Sequence, residues 1–150
     1  AFNCQDNQLA ARIITRSNQV TYDDLWPAGE DVIEIVLDPT GVGVVPQDLL
    51  HIAVKANGAV ITERGAPCLM RVGGHADWAG GVTAAIDDQS QPDRWTAEIR
   101  IPLASLGRPA PIFGINFARY QARLGEYSTW SGARRYLYSP VSLGNIQLAP

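Results

Sequence analysis

The sequence predicts an all-β fold: a β-sandwich of antiparallel sheets, in one domain over residues 1–150. Two observations point there. Short runs rich in Val, Ile, Leu and aromatic residues recur between clusters of Gly, Pro, Asn and Asp, while helical periodicity is scarce. The run Trp95-Thr-Ala-Glu-Ile-Arg-Ile-Pro-Leu103 alternates cleanly, with Trp95, Ala97, Ile99 and Ile101 on one face and Thr96, Glu98 and Arg100 on the other. With 46% hydrophobic residues, a chain of this length can close a sizeable core.

Taken in order, strands are expected over 9–15, 32–38, 50–56, 59–63, 68–72, 82–87, 95–102, 112–121 and 143–148. Turn signals separate them: Asp38-Pro39, Asn57-Gly58, Gly73-Gly74, Gly80-Gly81 and Gln91-Pro92-Asp93. Asn57-Gly58 fits a two-residue hairpin loop. Residues 104–107 suit a single helical turn.

The stretch Leu25-Trp-Pro-Ala-Gly-Glu-Asp-Val-Ile-Glu-Ile-Val-Leu-Asp-Pro39 carries the strongest chemical signal. Trp26 stands in a turn just before a strand that carries Glu34 at its centre. Val32, Glu34 and Val36 point to one side; Ile33, Ile35 and Leu37 point to the other. A carboxylate among valines is costly unless something hydrogen-bonds to it. An aromatic plate beside such a carboxylate is what a protein needs to hold a sugar: the apolar face of a pyranose stacks on the ring, and its hydroxyls bond the acid.

Other positions carry two readings each. In the strand over 112–121, Gly114, Asn116 and Ala118 share a face that is small in its middle. That face is either the floor of a ligand cleft, with Asn116 contacting ligand, or a close-packed surface. Trp78, in the glycine-rich run His75-Ala-Asp-Trp-Ala-Gly-Gly81, is a second candidate ligand contact. Trp95 reads as core by its alternation, and Trp130 reads as core because large aromatics are mostly buried. Asp23, Asp24, Glu30, Asp31 and Asp38 could ligate calcium, although no calcium-loop spacing is present and solvated turn acids are the simpler reading.

Bulk properties exclude several classes. Net charge is −3 and the clustered basic residues are few, Arg134-Arg135 and Arg119 with Arg123, so no basic stripe for nucleic acid is expected. No apolar run reaches membrane-spanning length, so no membrane partner is expected. With no initiator Met and no signal peptide, the chain reads as a mature or excised product. Cys4 and Cys68 fit no metal motif; they form one disulfide or remain two thiols. Catalysis is not expected. Ser128 and Ser131 have no His in a recognisable triad, and Asp87-Asp88 are neighbours that point apart.

Six segments in order resemble the family 9-like carbohydrate-binding modules, related to the DOMON group. They are Trp26; Asp31-Val-Ile-Glu34-Ile-Val-Leu-Asp-Pro39; Trp95-Thr-Ala-Glu-Ile-Arg-Ile-Pro-Leu-Ala-Ser-Leu-Gly107; Gly114-Ile-Asn-Phe-Ala-Arg119; Glu126-Tyr-Ser-Thr-Trp-Ser131; and Ser139-Pro-Val-Ser-Leu-Gly-Asn-Ile-Gln-Leu148. The resemblance implies a β-sandwich from a secreted, often multidomain, polysaccharide-acting protein, with an oligosaccharide or polysaccharide as partner. It also implies a clamp of two aromatic residues around a terminal sugar. Trp26 matches the first aromatic and Glu34 the strand glutamate. Tyr136 and Tyr138 stand where the second aromatic, usually Trp, is found. Ala53 takes the place of an Arg, so His51 or Lys55 would supply that hydroxyl contact. Family strands upstream of the run matching 2–15 are missing, which implies a trimmed product or strands supplied from elsewhere. Relatives of the DOMON group hold haem between Met and His or Lys. Met70 with His51, His75 or Lys55 is the corresponding alternative, which needs two ligands on opposite faces of the haem. No cofactor is otherwise expected.

Overall fold

The structure is a computed structural model and describes residues 2–5, 8–16, 31–65, 76–90, 94–132 and 137–148. Two antiparallel sheets pack face to face. The smaller contains β1 (Phe2–Gln5), β2 (Gln8–Arg16), β7 (Thr83–Asp87) and β8 (Arg94–Pro102), in the order β1-β2-β8-β7. The larger runs β10-β9-β3-β4-β5-β6: β10 (Glu126–Thr129), β9 (Ile112–Gln121), β3 (Val32–Asp38), β4 (Leu50–Lys55), β5 (Val60–Arg64) and β6 (Ala76–Asp77). A further strand, β11 (Gly144–Gln147), pairs with the first half of β9, on the edge that β10 occupies along its second half.

Period-two alternation builds the core. Ile33, Ile35 and Leu37 of β3, Leu50, Ile52 and Val54 of β4, and Phe113, Ile115 and Phe117 of β9 meet Trp95, Ala97, Ile99 and Ile101 of β8. Trp95 is fully buried, as the alternation predicts. The central strand β3 pairs with β4 on one side and β9 on the other, and all seven of its residues are buried. That explains why its sequence is apolar on both faces.

The outer face of the larger sheet is also covered. Val36, Leu49, Ala118, Leu137 and Tyr138, with Leu143 against them, form a second small core there. The small residues of β9 make this possible. A Cβ at Gly114 would lie 2.9 Å from the Leu143 Cδ1. The small middle of β9 is therefore close-packed. Its space holds Leu143, Leu137 and Tyr138, and it is not the floor of an open cleft.

Most expected strands are present within a residue or two. The expected strand over 68–72 lies outside the described residues. Three short strands, β1, β6 and β10, are additions to the expectation. The helical turn is a 3-10 turn at Leu103–Leu106. The β4–β5 hairpin is one residue longer in its loop than Asn57-Gly58 suggests. Lys55 N donates to Ala59 O, enclosing residues 56–58, with Gly58 at φ 90°. The Asn57 side chain instead accepts from Ala59 N. Among the described residues no helix is long and apolar enough to cross a membrane.

Candidate functional site

Strand register assembles the polar cluster on the outer face. Glu34 lies opposite Ala53 on β4 and Ala118 on β9; its neighbour Val36 lies opposite His51 and Asn116; and His51 lies opposite Glu63 of β5. Alternation then places Glu34, His51, Lys55 and Glu63 on one face, and all four are buried. Two acids and two bases share this surface, so charges that would be prohibitive singly are matched.

Glu34 is the hub. The Tyr127 hydroxyl of β10 donates to its Oε1 at 2.8 Å, and the Tyr138 hydroxyl donates to its Oε2. His51 Nε2 lies 2.9 Å from the same Oε2, and His51 Nδ1 lies 3.4 Å from Glu63 Oε2. The Tyr138 ring meets the His51 ring edge-on at 5.2 Å between centroids, which fixes both side chains. Three donors occupy a carboxylate with about four lone-pair directions, which holds it in one orientation.

Electrostatics keep these groups in defined protonation states. Burial alone would lift the Glu34 carboxyl, but the hydrogen bond and charge of His51 and the two tyrosine hydroxyls outweigh it and hold its pKa below the ordinary value. Burial would push His51 down, but its bonds to Glu34 and Glu63 outweigh that and raise it. Burial first, and the Glu34 charge second, push both tyrosine hydroxyls far above their usual range, so they remain donors.

The expected site residues divide. Glu34 stands at the centre of a network, with Tyr138 bonded to it. Trp26 and Tyr136 lie outside the described residues. Tyr138 is only 5% exposed, so it is no open stacking plate; its hydroxyl orients Glu34. Among the described residues, the exposed aromatic side chain beside Glu34 is Tyr127, at 47%. Asn116 is fully buried. Its Oδ1 accepts from Phe117 N at 2.9 Å and Ser131 N at 3.0 Å, tying β9 to the chain after β10. Its Nδ2 has no partner among the described residues. Trp78 is buried within the main core, on the inner side of the sheet. Its Nε1 donates to Ser105 O at 3.1 Å, and its ring plugs the gap between the sheets. It cannot share a ligand with Glu34. Trp130 departs in the other direction: expected in the core, it is 55% exposed.

The sequence marks His51 as a substitute hydroxyl contact or a haem ligand, and it does not mark Glu63 or Tyr127 as members. The signal for His51 was present, since it alternates with Lys55 onto the face of β4 that Glu34 shares on β3. Tyr127 had none, because its strand is too short and polar to announce itself.

The calcium and haem expectations meet specific obstacles. Asp31 and Asp38 flank opposite ends of β3, roughly 23 Å apart at the strand rise, so they cannot share a cation. Asp31 Oδ1 accepts from Ala122 N, and Asp38 accepts from Thr40 N, Thr40 Oγ1, Gly41 N and Gly43 N. Among the described residues no three His, Cys, Asp or Glu side chains converge as metal ligands. Asp23, Asp24 and Glu30 lie outside the described residues. Both His51 ring nitrogens face carboxylates, which leaves neither for a haem iron. Met70, His75 and Cys68 lie outside the described residues.

Among the described residues, a seven-stranded sheet packed on a four-stranded one, with an acid at the centre of the outer face, defines an antiparallel β-sandwich. Among solved structures it has the fold of the family 9 carbohydrate-binding modules. A module of Caldicellulosiruptor kristjanssonii in complex with glucose superposes with a TM-score of 0.66 at 21% identity, covering 96% of this chain and 72% of that one. The module of that organism in complex with cellotriose gives 0.66 at 20%, covering 95% and 69%. No protein-family model and no curated protein matches the chain.

Proposed function

We propose that the chain is a non-catalytic carbohydrate-binding module that acts outside the cell, as part of a larger glycan-acting protein. Its ligand is a glucose-containing oligosaccharide or polysaccharide, the class carried by the modules of like fold. The observation that carries this reading is the polar network centred on Glu34, a carboxylate that three donors hold in one orientation beside the exposed Tyr127. The Tyr127 side chain is aromatic, and an aromatic face suits the apolar face of a pyranose. Trp26 is the second stacking residue in this reading, placed by its position ahead of the Glu34 strand.

Orienting the carboxylate in advance lowers the entropy lost when a sugar docks. One clamp and a few hydrogen bonds give micromolar-class binding, which suits retention on a polymer. The test is a titration with glucose and cellotriose, together with retention on insoluble glucans. Trp26→Ala is expected to abolish retention without changing the fold. Tyr127→Ala is expected to weaken binding roughly 3- to 10-fold, the size of one stacking contact. A parent chain that binds no saccharide in either assay would refute the function. Parental retention by Trp26→Ala would refute the clamp.

A further inference from the structure

Strand β10 lies at the edge of the larger sheet. Along its inner row and one residue past its end, Glu126, Ser128 and Trp130 are all exposed, while the β9 residues opposite them, Gln121, Arg119 and Phe117, are buried, half-buried and buried. The larger sheet therefore overhangs its partner here. Trp130 pairs with Phe117 through Trp130 N to Phe117 O at 2.8 Å, and its ring meets Phe117 edge-on at 5.9 Å.

The ring is held from behind. Gly144, the first residue of β11, lies directly under it, and any Cβ there would overlap the indole. The following residue is anchored twice: Ser131 N donates to Asn116 Oδ1, and Ser131 Oγ donates to Ser142 O at 2.6 Å. One side of a large aromatic ring is thus packed and the rest is open, at 55% exposure. A ring fixed this way loses little freedom when something stacks on it.

We propose that Trp130 is a second sugar-stacking platform, on the opposite face of the larger sheet from Glu34, for a pyranose within a long glycan chain. The proposal rests on the carbohydrate-binding reading above and extends it from one contact face to two. The chemistry beside the ring favours a sugar. Ser128 and Glu126 follow it along the same row at about 7 and 14 Å. They offer a hydroxyl and a carboxylate in line with an aromatic plane, as a linear chain of pyranoses requires. A protein partner would want a contiguous apolar patch of several hundred Å² with few charges at its centre. Because the two faces point apart, they grip different sugars. Both engage only on a polymer or a surface, where the second contact adds avidity.

The test uses insoluble cellulose and soluble cellotriose with the parent, Trp130→Leu, Trp130→Ala, Glu34→Gln and the double variant Glu34→Gln/Trp130→Leu. Leucine keeps apolar cover over Phe117 while removing the plane, so it guards against a folding failure; melting curves verify this. Trp130→Leu is expected to lower retention on cellulose roughly 3- to 10-fold. Glu34→Gln is expected to remove cellotriose binding but keep weak retention on cellulose, and the double variant to lose that remainder. Retention of both Trp130 variants at the parental level overturns the platform and leaves the Glu34 reading standing. So does an equal loss on cellulose and on free cellotriose, which would mean that Trp130 acts through the Glu34 face. A parent chain that no glucan retains overturns the carbohydrate-binding reading and the platform together.

Discussion

At the scale of single residues, Glu34 decides the most. A carboxylate on the central strand survives burial because an imidazole and two phenols reach it, from β4, from β10 and from the chain before β11. Each donor should be measurable. Tyr138→Phe keeps the ring against His51 but removes one bond to a charged acceptor, so it should cost about 1.5–3 kcal/mol in chemical denaturation. His51→Ala strands two buried carboxylates and should cost about 3–5 kcal/mol. Titration carries a signature as well. The lowered Glu34 stabilises the fold fully above its ordinary pKa of 4.5, and that contribution is lost as pH falls through the folded value. The raised His51 stabilises fully below its ordinary 6.5, and that contribution is lost as pH rises through the folded value. The network thus contributes most between pH 4.5 and 6.5. Melting temperature against pH should show its alkaline decline flattened in His51→Gln; an unaltered decline would show that His51 is not the titrating group.

At the scale of elements, glycine positions and short strands govern what is exposed. Gly144 has no positive φ, so its identity is set by space: the Trp130 ring occupies the place of its side chain. Gly144→Ala should therefore destabilise by about 1–3 kcal/mol through overpacking. It should also shift the Trp130 fluorescence, since the ring must lift. The loop after β3 shows the complementary device. Asp38 accepts from the backbone of Thr40, Gly41 and Gly43 and so fixes the turn. Asp38→Ala leaves those amides unanswered and should cost at least about 1.5–3 kcal/mol, the worth of one charge-assisted bond. Long apolar strands such as β3, β8 and β9 were legible in the sequence because alternation needs several residues to declare itself. The strand β10, Glu-Tyr-Ser-Thr, is four residues of mixed polarity and was not legible, although it delivers Tyr127 to Glu34.

At the scale of the whole molecule, two cores share one sheet. The inner core fills the sandwich, and the outer one packs Leu137, Tyr138 and Leu143 over Val36 and Ala118. Because β3 contributes to both, they should unfold together. Far-UV circular dichroism and tryptophan fluorescence should give coincident urea transitions, and a separate early transition would show that the outer cover melts alone. Trp95→Ala, which removes the largest fully buried side chain of the core, should cost about 3–5 kcal/mol.

The sequence by itself determined the sandwich, the central strand with its acid, and the core role of Trp95. These follow from local alternation and from the cost of an unpartnered charge, both of which are readable along one strand. Only the tertiary structure decided the fates of the other aromatic and amide candidates. Trp78 went inside and Trp130 outside, Tyr138 became a buried support while Tyr127 took the open place beside Glu34, and Asn116 became a backbone tether. Exposure of a side chain depends on what lies above it, and that is set by how far one sheet extends past the other and by which distant segment folds over its outer face.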